Sequence, residues 1–164
     1  MSKLDVSHDL VLKVIGRLNS KKLTIATAES CTGGWLAQVL TSVSGSSEWF
    51  RAGFVTYSNQ SKQDLLSVPS KYFRCDGPGA VSEEVVRAMA EGTIAVCKTN
   101  FAVAVSGIAG PEGGTIEKPV GTVWMAWGWE SRVQTKRFLF AGERSQVRFA
   151  AVEAALSGIL TFIP

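Results

Sequence analysis

Histidine is nearly missing from this sequence: of 164 residues, only His8 carries an imidazole. A serine–histidine–aspartate triad would rest on that one residue, placed near the start of a first helix and far in sequence from any candidate loop. The three cysteines, Cys31, Cys75 and Cys97, are odd in number and lack metal-ligand spacing. They argue against a zinc site and for a reducing compartment. No apolar run reaches the length that spans a bilayer, and the opening MSKLDVSHDL lacks the apolar stretch of a signal peptide. A cytoplasmic protein without membrane contact is the expectation. Dense Lys/Arg blocks are absent too, and the net charge of +3 is spread among mixed signs. Nucleic acid is therefore not an expected partner, although a small anion is compatible with that charge.

What is present fits one globular domain over residues 1–164, with 46% apolar and 19% charged residues. A chain of that size buries about two-thirds of its unfolded surface without staples. Leu4, Leu10, Val11, Val14, Ile15 and Leu18 recur at helical spacing and predict an amphipathic helix over 5–19. A short apolar run at 23–28 reads as a strand, 35–40 as a helix, 50–57 as a second strand and 59–66 as a short helix. After a Pro/Gly-punctuated loop, Ser82 is placed to cap a helix that carries Val86, Met89, Ala90, Ile94 and Cys97 on one face. Residues 101–108 form a buried strand, 109–119 a Gly/Pro loop, and 120–129 with 133–140 an antiparallel hairpin across three residues. A last helix covers 144–160. Strands alternating with helices, plus one hairpin, give an α/β layered domain with a mixed sheet. In VGTVWMAWGW, apolar residues fall on both faces, as in a central strand covered by helices; a self-association surface is the alternative.

The chemistry gathers where strands hand over to helices. In TAESCTGGW, Ser30 follows a strand and opens a helix, at the sheet end where open α/β folds bind ligands. The amides of Cys31, Thr32, Gly33 and Gly34 would be free at the helix start to hold a phosphate or an oxyanion. Ser30 or Thr32 acting only as a helix cap is the plainer alternative. A nucleophilic serine needs a base, and with histidine unusable the remaining types are lysine and tyrosine. VTYSNQSKQDLL offers both: Tyr57 ends a strand, Ser58 caps a helix and Lys62 lies in its first turn. There the positive helix end, with burial, would lower the lysine pKa; an exposed surface lysine is the alternative. VSGIAGPEGG places Ser106 and Gly107 at the start of another small-residue loop after a strand, and Arg144 opens the last helix, suited to phosphate.

Together TAESCTGGW, SGSSEWFRAGFVTYSNQSK, GAVSEEVV, SGIAGPEGG and EKPVGTVW resemble the CinA C-terminal domain family, in order and over essentially the whole chain. The resemblance implies a three-layer α/β/α sandwich that assembles as a homodimer or larger homo-oligomer. Stand-alone members of that family act as nicotinamide-nucleotide amidases. They hydrolyse the carboxamide of nicotinamide mononucleotide to nicotinate mononucleotide and ammonia within pyridine-nucleotide recycling. Carried onto the matching positions, this implies Ser30 as nucleophile, Lys62 as base, and Tyr57 as proton relay or as the group orienting Lys62. Glu29, Cys31, Thr32, Gly33 and Gly34 would form the substrate-facing turn, with Ser106, Gly107 and Arg144 contacting the nucleotide. No metal or organic cofactor is implied. Two other readings stay open: a nucleotide-binding module without turnover, and a Ser-Lys amidase for another small amide.

Overall fold

A computed structural model describes residues 5–163. The elements run α1 (His8–Ser20), β1 (Ile25–Glu29), α2 (Trp35–Leu40), β2 (Phe50–Val55), α3 (Asn59–Leu66), α4 (Glu83–Cys97), β3 (Phe101–Gly107), β4 (Thr122–Trp129), β5 (Arg132–Leu139) and α5 (Arg144–Phe162). The five strands form one mixed sheet in the order β2-β1-β3-β4-β5. β1 is parallel to both neighbours, and β4 is antiparallel to β3 and β5. From β1 the chain first moves outward to β2 and then crosses back to β3. The strand order therefore reverses beside the carboxyl end of β1, which is where open α/β sheets form ligand crevices.

Two-residue periodicity sorts the sheet into unlike faces. Ile25, Phe101, Val103, Val105, Val123, Met125 and Trp127 project into one core beneath α1, α2 and α5. Ala28, Ala104 and Ala126 project into the other, beneath α4 with α3 outside it. Small side chains on that second face let α4 lie low across β1, β3, β4 and β5. Helices on both faces make the three-layer sandwich, and β4 is a covered central strand, with Trp127 only 2% exposed. The Trp127 indole donates from Nε1 to the Ala155 carbonyl of α5 at 3.0 Å. Gly158 makes room for the ring: a Cβ there would stand 2.1 Å from it.

The boundaries that differ from expectation have local causes. Ser7 accepts the amide of Leu10 and so starts α1 at His8 rather than at residue 5; Leu4 lies outside the described residues. The β4–β5 link is two residues, not three, because Glu130 adopts a left-handed conformation (φ 52°) and Trp129 pairs with Arg132. β2 ends at Val55, so Tyr57 sits in the link to α3.

Candidate active site

Ser30 leaves the end of β1 with its amide tied to the Val105 carbonyl of β3 at 2.9 Å, which fixes the residue between two strand ends. Ser58 caps α3 through a reciprocal pair with Ser61, and one residue later Lys62 turns inward. Its side chain is 1% exposed. Lys62 Nζ donates to the Thr56 carbonyl at 2.6 Å and stands 3.1 Å from Ser30 Oγ. Among the described residues no carboxylate is paired with it. Burial without a counter-charge brings its pKa from 10.5 down to about 8. The neighbouring Cys31 thiol moves the other way, pushed up to about 12 chiefly by burial. A thiol so held stays protonated near neutrality and is no nucleophile.

The serine and lysine open into a cleft of about 210 Å³, also lined by Tyr57, Val81, Gly107 and Arg144. Ala109 and Arg144 line this cleft and also a larger one of about 620 Å³, walled by Pro111, Val120, Ser145 and Arg148. The two form adjoining compartments, with Arg144 at their boundary. Arg144 donates to the Gly110 carbonyl at 2.9 Å and to the Tyr57 hydroxyl at 3.0 Å. Tyr57 is 60% exposed, and its hydroxyl is held by Arg144 rather than by Lys62. Ser106 lines the smaller cleft, but its hydroxyl donates to the Ala80 carbonyl at 2.8 Å and so pins the opposite wall.

The turn after Ser30 differs from the free helix start expected. Helix α2 begins only at Trp35, and its N-terminus is already filled from within the fold. The fully buried Glu29 carboxylate accepts the amides of Gly34, Leu36 and Ala37 at 3.1, 3.0 and 2.8 Å. Glu29 therefore caps α2 and does not face substrate. Gly33 donates to the Ser30 carbonyl, and both glycines have left-handed backbones (φ 61° and 94°) that build the turn. Neither lines either cleft. The amides of Cys31 and Thr32 are left without a protein oxygen among the described residues. Thr32 is fully buried and lines neither cleft.

Arg148 went unnoticed in the sequence. It donates from Nε to the Cys31 carbonyl at 3.0 Å and from Nη2 to that of Thr32 at 3.1 Å, and lies 5.7 Å from the centre of the Trp35 ring. Its signal was its spacing, four residues after Arg144 and hence on the same helix face. Val81 and Ala109 were missed because small apolar loop residues carry no chemical signature. His8 is exposed at the first residue of α1 and forms no part of either cleft.

The model of the CinA C-terminal domain matches residues 7–163. The chain belongs to this family. Among its CinA relatives, the Pseudomonas putida protein named nicotinamide-nucleotide amidohydrolase PncC is 56% identical over 136 residues, 83% of this chain and 84% of that one. The Escherichia coli K12 protein of the same name is 48% identical over 141 residues, 85% and 84% of the two chains. A longer CinA-like protein from Colwellia psychrerythraea is 47% identical over 93% of this chain, which spans 34% of that protein. The crystal structure of the Klebsiella pneumoniae competence damage-inducible protein A superposes with a TM-score of 0.91 at 37% identity, covering 98% of this chain and all of that one. An Escherichia coli CinA superfamily structure gives 0.91 at 36% identity, over 99% and 94% of the two chains. Among the described residues, no helix is long and apolar enough to cross a membrane.

Proposed function

We propose that this chain is a nicotinamide-nucleotide amidohydrolase, which converts nicotinamide mononucleotide to nicotinate mononucleotide and ammonia with Ser30 as nucleophile and Lys62 as base. The observation that carries the mechanism is the buried lysine amine 3.1 Å from the serine hydroxyl at the floor of a cleft. The PncC name of relatives 46–56% identical supports the substrate.

In this reading, neutral Lys62 takes the Ser30 proton as Oγ attacks the carboxamide carbon. The amides of Cys31 and Thr32 stabilise the oxyanion. Collapse breaks the C–N bond, and the Lys62 proton leaves with ammonia. Water, deprotonated by Lys62, then cleaves the acyl ester; nicotinate mononucleotide departs and Ser30 regains its proton. The pyridine ring sits in the smaller cleft and the ribose phosphate reaches past Arg144 into the larger one. Tyr57 orients Arg144 rather than Lys62. The whole chain acts as one amidase domain within pyridine-nucleotide recycling in the cytoplasm, as a homo-oligomer and with no metal or organic cofactor.

The test is ammonia release from nicotinamide mononucleotide by the wild type and by Ser30→Ala. Release by the wild type alone is expected. Equal release by both removes Ser30 from the chemistry. Thermal stabilisation by the nucleotide without release from either leaves a binding module, and release from another amide but not this one reassigns the substrate.

A further inference from the structure

Arg148 lines the larger compartment, holds the turn that borders the smaller one, and has no role in the reaction described above. An arginine carries five N–H donors in a planar fork. Two of these are committed to the Cys31 and Thr32 carbonyls. The Trp35 ring covers the guanidinium at 5.7 Å, and Gly33 approaches so closely that a Cβ there would lie 3.4 Å from Nη2. Three donors remain, and the side chain lines the larger cleft beside Arg144.

The two carbonyls matter because of what shares their peptide planes. In a trans peptide the C=O of one residue and the N–H of the next point in opposite directions from one rigid plane. Holding the Cys31 carbonyl on the side of Arg148 therefore aims the Thr32 amide the other way. It also polarises that peptide, which strengthens the N–H as a donor. One guanidinium thus grips the back of the turn that supplies the oxyanion donors and presents its free N–H groups to the adjoining compartment.

We propose that Arg148 is a positioning residue that couples a phosphate in the larger cleft to the oxyanion donors after Ser30, so that the phosphate of the substrate raises turnover as well as affinity. The inference rests on the amidase reading. A phosphate oxygen accepting the free donors of Arg148 restrains the fork, and through it the Cys31–Thr32 peptide. Arg144, with one amine on Gly110 and the other on Tyr57, has no such connection to the turn.

The test compares kcat and KM for nicotinamide mononucleotide and nicotinamide riboside in the wild type, Arg148→Gln and Arg148→Lys, with thermal unfolding to confirm the fold. Arg148→Gln is expected to lower kcat for the mononucleotide roughly tenfold more than for the riboside. Arg148→Lys keeps the charge but cannot span two carbonyls and a phosphate; it should restore KM for the mononucleotide and leave kcat low. Inorganic phosphite added with the riboside should accelerate the wild type and not Arg148→Gln. Equal losses on both substrates, or a loss confined to KM, would overturn the coupling while leaving the amidase intact. A folded wild type that releases no ammonia from either substrate would remove the amidase reading, and the coupling with it.

Discussion

A buried, unpaired lysine is an expensive group to keep, and its cost is visible in the pH axis. With a pKa near 8, the half-neutral point of Lys62 lies close to neutrality. Ammonia release should climb roughly tenfold per pH unit below that point and level off above it; a flat profile from pH 6 to 9 would exclude Lys62 as the base. Stability should respond in the same window. Between about 8 and 10.5 the unfolded chain retains a lysine proton that the folded chain has lost. Unfolding therefore takes up a proton there, and the folded state gains stability as pH rises through the window. Lys62→Met should abolish turnover, and thermal unfolding from pH 7 to 11 should lose that rise. Glu29 is the opposite case, a buried charge fully satisfied by three amides. Glu29→Ala strands those donors and should cost about 3 kcal/mol. For a domain of this size that lowers Tm by roughly 6–12 °C in calorimetry.

The sequence showed Ser30 as a residue of interest by its place at the ligand-binding end of the sheet, although a serine there is also an ordinary cap, and Lys62 as a cation at a positive helix end. It did not show Glu29 as a cap, because its partners lie five to eight residues ahead and in a turn whose shape is set by two left-handed glycines. Arg148 was equally hidden, since its partners are backbone carbonyls more than a hundred residues away.

At the scale of elements, periodicity carried most of the information. Unbroken apolar runs in β1, β3 and β4 marked covered strands, and Ser58 and Ser82 announced their helices by cap chemistry. Boundaries were harder, because they depend on single conformations such as that of Glu130. Helix propensity alone would recommend alanine at Gly158, near the end of α5. The Trp127 ring lies where that methyl would go, and the ring is held by its bond to Ala155. Gly158→Ala should therefore destabilise the protein by about 1–3 kcal/mol, read as a lower urea midpoint at an unchanged slope. An unchanged or raised midpoint would show that α5 yields.

For the molecule as a whole, the reversal of strand order beside β1 gathers distant parts of the chain. The turn after β1, the start of α3, the end of β3 and the first turn of α5 meet around one crevice. A ligand in it adds contacts to elements already joined there by hydrogen bonds from Lys62, Arg144 and Arg148, so occupancy should stabilise the entire fold. With nicotinamide mononucleotide at about a hundredfold its Kd, an inactive Ser30→Ala protein should gain about 2.7 kcal/mol. Its Tm should rise by roughly 5–10 °C in a thermal shift assay. The alternation of helix and strand foretold the layers, but not which loops would face each other across the crevice. That depends on the order in which strands enter the sheet.

The internal cap on α2 also constrains how such a site can diversify. A single carboxylate, in the residue just before Ser30, clasps the far end of the turn, so the loop between them is closed like a buckle with a fixed number of links. Adding or removing a residue between 30 and 34 would pull the clasp open and displace the serine. New substrate preferences are therefore to be sought by altering the walls at Val81, Ala109 and Pro111 or the first turns of α5, with the buckle left at its present length.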